Sequence, residues 1–183
     1  ELDGVAALLR ANRLVSIVGP GGAGKTRLAL EAAGMVAGEH RDGVWLVELA
    51  SLRDPRNVAS AVAAALGVDD PARVDRFVAD KGLLLVVDNV EHLLDAGPML
   101  AGALAGEPGP TLLVTSRERL HLRAEREIPV RPLGLPGDGD LDGPTTAPAV
   151  EMLVQCVRRF DPEFTVTRDN RAAKGRHAWL AKL

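Results

Sequence analysis

The sequence predicts an α/β fold with a mostly parallel sheet of about five strands, and three features of the chain carry that prediction. Apolar strand candidates alternate with helical patterns from Leu2 to Val130. A glycine-rich loop joins the first strand candidate to the helix after it. A continuous apolar run, Leu83-Leu84-Leu85-Val86-Val87, has the character of a strand buried on both faces of a parallel sheet, and it ends directly in Asp88.

The apolar spacing of Leu2, Val5, Ala6, Leu8 and Leu9 predicts a short helix leading into a strand at Leu14–Val18. The glycine-rich loop and a helix over 25–37 follow, and then a strand over 44–49. A helix over 57–66 takes Asp54-Pro55 as its start signal and Gly67 as its stop. Another helix covers 72–79, the strand over 83–87 comes next, and a helix over 93–105 leads to a fourth strand over 111–115. Ile128-Pro129-Val130 supplies a short fifth strand. Residues 1–132 therefore form one domain, whose ligand should lie at the carboxyl ends of the strands. Four prolines and four glycines among acidic residues over 132–148 mark a linker, bounded at 133–148. A helix over 149–160 opens a partial helical segment, 149–183, which ends in an atypical basic tail.

Composition narrows the function classes. The chain of 183 residues is 46% hydrophobic but only 3% aromatic, with no Tyr, so the core is built from Leu, Val and Ala. Stacking platforms for single-stranded nucleic acid are not expected. A net charge of −3 with interspersed charges gives no basic field, so no direct nucleic-acid binding by this segment is expected. A single cysteine, Cys156, excludes an internal disulfide, and its apolar helical setting predicts a packed thiol. No apolar run reaches the length of a membrane span and no signal peptide is recognisable, which predicts a cytoplasmic protein with no membrane partner.

Residues Gly19, Pro20, Gly21, Gly22, Ala23, Gly24, Lys25 and Thr26 form an unbroken G-x-x-x-x-G-K-[ST] loop between strand and helix, the setting a phosphate-binding loop requires. Glycines let successive backbone N–H groups converge on phosphate oxygens, and the following helix adds its positive dipole end. Lys25 would reach the outer phosphates and the Thr26 hydroxyl would enter a Mg²⁺ shell. Arg27, just behind them, is counted with the nucleotide-binding set. The competing reading is a glycine-rich turn that binds nothing.

Asp88, at a strand tip downstream of such a loop, is placed to hold Mg²⁺ through water, although apolar strands also end in Asp for turn reasons. Asn89 follows, where many ring-forming and motor ATPases of this general fold carry a catalytic Glu; an amide can orient water but cannot accept its proton. Slow hydrolysis is expected unless Glu91 or His92 supplies the base, and both have simpler readings as capping or surface residues. Arg117, at the end of the fourth strand, could contact a γ-phosphate and report its presence, or be an ordinary member of a basic cluster with Arg119 and Arg123. Thr115 and Ser116 fit either ligand binding or turn chemistry.

Together the stretches over 19–31, 43–50, 83–94 and 112–118 resemble the nucleotide-binding domain of STAND-class P-loop NTPases, signal-transducing relatives of the AAA+ proteins. The likeness is greatest to the ATPase modules of bacterial SARP-type and LuxR-type transcriptional regulators, and it extends over about 1–173. The resemblance implies a three-layer sandwich that binds ATP or ADP with Mg²⁺, with ATP opening or oligomerising the protein and ADP keeping it closed. It also implies partners in other domains of a longer regulator, or self-association. Two departures stand out. The apolar-Gly-Arg-Glu segment that usually precedes the first helix and encloses the base is not present, so the chain looks cut at its start. The tail over 174–183 stands where a Gly-x-Pro turn of the small helical domain is expected.

The leading expectation is thus a nucleotide-dependent switch with slow hydrolysis. A turnover ATPase or small-molecule kinase is a second reading, disfavoured by Asn89 and by the lack of a recognisable acceptor-substrate lid. A degenerate nucleotide-domain fragment that acts as an interaction scaffold is a third.

Overall fold

The computed structural model describes residues 1–90, 109–132 and 148–166. Two compact units divide the chain, Glu1–Val130 and Arg131–Leu183. The predicted helix over 93–105 with Glu91 and His92, the linker interior and the basic tail lie outside the described residues.

In the first unit, helix α1 (Leu2–Ala11) precedes strand β1 (Leu14–Val18), and α2 (Lys25–Val36) leads to β2 (Val44–Glu48). Helices α3 (Val58–Leu66) and α4 (Val74–Val78) come before β3 (Leu84–Asp88); β4 (Thr111–Ser116) and β5 (Arg126–Pro129) complete a five-stranded sheet. Strand order is β2–β3–β4–β1–β5, and every pairing is parallel. The predicted α/β architecture is therefore present.

Period-two alternation along the central strands sorts the core into two layers. Leu14 of β1, Leu85 and Val87 of β3, and Leu112 and Val114 of β4 pack with α3 and α4 through Val58, Val62, Leu66, Val74 and Val78. Val15, Ile17, Leu84, Val86 and Leu113 point the other way, against Val5, Ala6 and Leu9 of α1 and Ala29, Ala32, Ala33 and Val36 of α2. Helices on both faces make the three-layer sandwich. The small alanines of α2 let its axis lie close to the sheet, which brings the start of that helix to the carboxyl ends of the strands.

Local signals set the helix starts. The Asp54 carboxylate accepts a hydrogen bond from Arg56 N at 2.9 Å, Pro55 opens a 3₁₀ turn, and α3 closes on Gly67, whose φ of 68° is the left-handed conformation of a glycine cap. Asp70 and Pro71 repeat this arrangement before α4, with Ala72 N on the Asp70 carboxylate at 3.0 Å. The two helices begin one and two residues later than expected, at Val58 and Val74, because the Asp-Pro starts open as 3₁₀ turns.

The fifth strand differs from expectation. It starts at Arg126 rather than Ile128, because an edge strand needs only one protected side and admits charged residues. Pro129 is tolerated there for the same reason. The other edge, β2, leaves Trp45 and Leu46 partly exposed.

Of the second unit, helix α5 (Pro148–Arg158) is described. Val150, Val154 and Val157 are half-buried along one side, and Cys156 lies off that side and is exposed, so the expectation of a packed thiol does not hold. Arg158 Nε donates to the Phe164 carbonyl at 3.0 Å and so ties the helix end to the chain beyond it.

Candidate functional site

The strand order brings three strand ends together. β4 is inserted between β1 and β3, so the glycine-rich loop that follows β1 faces the Asp88 tip of β3 across the Thr115–Arg117 tip of β4. Alternation decides direction: Asp88 has the parity of Leu84 and Val86, Thr115 that of Leu113, and all of these point to the α2 side of the sheet.

The loop is anchored at its first residue. Gly19 N donates to Ser116 O at 3.2 Å, and a Cβ on Gly19 would collide with the carbonyl oxygen of Val130, so only glycine fits between β1 and the end of β5. Pro20 O accepts from Ala23 N at 3.3 Å and from Lys25 Nζ at 3.0 Å. Ala23 is half-buried against the α2-side core. Gly22 has φ 76°, and Gly24, the residue that caps α2, has φ 83°, a conformation that side chains resist at the point where the loop turns into the helix. Lys25, although charged, is 7% exposed. Arg27 lies exposed on the first turn of α2.

Opposite the loop, the Asp88 carboxylate is 5% exposed and surrounded by donors from three elements. Thr26 Oγ1, on α2, donates to Asp88 Oδ1 at 2.8 Å. Thr115 Oγ1, on β4, donates to the same oxygen in a short hydrogen bond. Asn89 Nδ2 donates to Asp88 Oδ2 at 3.2 Å. The chain leaves β3 at Asn89 with φ 63°, a left-handed conformation that asparagine tolerates better than most residues, and Asn89 N donates to Thr115 Oγ1 at 3.0 Å. Ser116, the other polar residue of the strand end, has the opposite parity and accepts from Glu118 N at 3.2 Å, an arrangement of turn chemistry.

Arg117 is exposed, and its guanidinium atoms come within 3.7–4.0 Å of the place a Cβ on Gly21 would occupy. It therefore lies over the loop. The structure thus brings together Gly19–Thr26, Asp88, Asn89 and Arg117, while Arg27 is exposed on the first turn of α2. The residue whose part the sequence left open is Thr115. Its parity on an apolar strand directed it to the α2 side, but only the insertion of β4 between β1 and β3 makes it the bridge.

The donor set suits a hard divalent cation. One carboxylate and one hydroxyl are already in contact, and Mg²⁺ typically takes one or two protein oxygens and completes its octahedron with water and phosphate. Among the described residues, no group of three or more His, Cys, Asp or Glu could hold a metal by itself. No described helix is long and apolar enough to cross a membrane.

No protein-family model matches the chain. In sequence, it is 40% identical over 176 residues to a protein named as an HTH-type transcriptional regulator of Mycobacterium tuberculosis, covering 92% of this chain and 19% of that relative. It is 35% identical over 182 residues to an uncharacterized protein of the same species, covering 96% of this chain and 44% of the relative. It is 32% identical over 119 residues to the regulatory protein AfsR of Streptomyces griseus, covering 57% and 12%. The chain thus spans about a fifth of the length of the first regulator. In structure, it matches NtrX of Brucella abortus in complex with ATP at a TM-score of 0.59 and 15% identity, over 98% of this chain and 46% of that one. A STAND protein with a tetratricopeptide repeat sensor from Pyrococcus horikoshii matches at 0.50 and 17%, over 94% and 26%. At such identities these structural likenesses speak for the fold, and the sequence relatives for the kind of protein in which it occurs. The chain thus has the α/β fold of P-loop NTPases and is similar in sequence to a part of proteins named as bacterial transcriptional regulators.

Proposed function

We propose that the chain is the ATP/ADP-binding switch module of a longer transcriptional regulator, with slow Mg²⁺-dependent hydrolysis. The observation that carries this reading is the contact of Thr26, at the end of the glycine loop, with Asp88 at the tip of β3, under an arginine that lies over the same loop. Backbone N–H groups of Gly19–Thr26 and the start of α2 would bind the phosphates. Lys25 would exchange the Pro20 carbonyl for a phosphate oxygen. Thr26 and Asp88 would hold Mg²⁺, Asp88 through water. The bound nucleotide supplies the γ-phosphate whose presence or loss distinguishes the two states. Arg117 would read that difference and pass it to neighbouring domains or to a second copy. Asn89 offers no carboxylate to take a proton from water, and its amide nitrogen is engaged with Asp88, both of which support slow turnover.

Isothermal titration with ADP and with a non-hydrolysable ATP analogue, each with Mg²⁺, tests the reading. Binding in the micromolar range or tighter is expected. Lys25→Ala should weaken it about 100-fold, the loss of a charge-assisted contact in a largely buried site. Arg117→Ala should weaken the ATP analogue more than ADP. Folded wild-type protein that binds neither nucleotide overturns the proposal, and equal losses for both nucleotides in Arg117→Ala remove the sensor role.

A further inference from the structure

We propose that Thr115 is a positioning residue that presents Asp88 to the divalent cation and locks the turn that follows it; this rests on the nucleotide-site reading above. Thr115 is completely buried at the end of β4. Its Oγ1 donates to Asp88 Oδ1 and accepts from Asn89 N at 3.0 Å, so one hydroxyl serves a carboxylate and a backbone N–H of consecutive residues. A hydroxyl can do both at once because it carries one donor and two acceptor lone pairs.

The two bonds act on the same geometry. The chain turns out of β3 at Asn89 with φ 63°, and the Asn89 N–H at the start of that turn donates to Thr115 Oγ1. With the turn fixed, Asn89 Nδ2 reaches back to Asp88 Oδ2, so both carboxylate oxygens are held from the β3–β4 side. Among the described residues, Thr26 is the remaining side-chain donor on the Asp88 carboxylate, and it stands on α2, the helix that follows the phosphate loop. The carboxylate is therefore oriented by the sheet and shared with the loop. The last register pair of the two strands is Val87 with Val114, one residue before Asp88 and Thr115, so rigid sheet pairing sets the distance between the tips.

Removing the hydroxyl while keeping the shape should act on metal-dependent nucleotide binding and spare metal-free binding. Wild type, Thr115→Val and Thr115→Ser are titrated with ADP in excess EDTA, and then with Mg²⁺ at a fixed ADP concentration. For Thr115→Val, the Mg²⁺ concentration that gives half of the metal-dependent gain should rise about tenfold, the loss of one hydrogen bond to a charged group, with ADP affinity in EDTA within twofold of wild type. Thr115→Ser, which keeps the donor and acceptor, should stay near wild type. An unchanged Mg²⁺ requirement in Thr115→Val overturns the inference, as does an equal loss of ADP affinity with and without Mg²⁺, which would mark a fold role only. Should Thr115→Val not fold, Thr115→Cys against Thr115→Ser carries the comparison: the weaker thiol donor should raise the Mg²⁺ requirement and the serine should not, and equality overturns the inference. Wild-type protein that binds no ADP removes the nucleotide reading and this one with it. Wild-type protein that gains affinity from Mg²⁺ beside a variant that gains equally removes only this one.

Discussion

The two ends of the same sheet each hold a carboxylate that accepts several hydrogen bonds, and the difference between them separates a brace from a site. At the amino end, Asp42 Oδ2 accepts from Gly82 N at 2.7 Å and from Arg41 Nε at 3.0 Å, while Asp42 N donates to Gly82 O at 3.3 Å. These contacts tie the chain entering β2 to the chain entering β3. At the carboxyl end, Asp88 accepts from the side chains of Thr26, Thr115 and Asn89. A carboxylate satisfied by backbone and by an exposed guanidinium gains nothing from being released. One held in a buried setting by Thr115 and Asn89 and shared with Thr26, whose hydroxyl can turn to a cation, can exchange that last partner at little loss.

Glycines at the two ends offer the largest break of this comparison. Gly19→Ala drives a methyl into the Val130 carbonyl, part of the rigid sheet, and should destabilise the fold by roughly 1–3 kcal/mol in chemical denaturation. Gly82→Ala meets the Arg41 side chain, whose nearest atom is Cγ at 3.2 Å and which can swing aside, so a change within about 0.5 kcal/mol is expected. Equal effects of the two substitutions would contradict the view that the carboxyl end is the more tightly built.

A smaller effect, of opposite sign, is expected midway along β1. Ser16 Oγ is buried without a hydrogen-bond partner among the described residues, on the α3 side of the sheet. Ser16→Ala removes that unsatisfied group and should raise stability by about 1 kcal/mol without altering nucleotide affinity. A loss of stability would mean that the hydroxyl has a partner in solution.

The smallest effect concerns pH. Gly82 N–H, and then Arg41, hold the Asp42 carboxyl below its ordinary value of 3.8. A depressed folded value means that the stabilisation is complete above the unfolded value and is lost as pH falls through the folded one. The melting-temperature gap between wild type and Asp42→Asn should therefore be constant from about pH 7 to 5 and close below about pH 4. A gap that persists undiminished to about pH 3 would show that the Asp42 charge is not what braces this end.

Much of this was legible in the chain. The glycine loop, the buried run ending in Asp88 and the Asp54-Pro55 start signal are local, because each depends on residues within one turn or one strand. The extent of β5 was less legible, since Arg126 and Glu127 carry no apolar signal when a strand lies at an edge. The exposure of Trp45 and Leu46 likewise depends on β2 having a single neighbour.

The sequence alone determined the chemistry available: a phosphate loop, a carboxylate at a strand tip, an amide after it and an arginine near the end of the fourth strand. Only the tertiary structure decided who meets whom. Strand order follows from which faces the crossover helices cover, a non-local balance of α1 and α2 against one side and α3 and α4 against the other. That balance inserts β4 between β1 and β3, turns Thr115 from a strand residue into the bridge between Asp88 and Asn89, and lays Arg117 over Gly21.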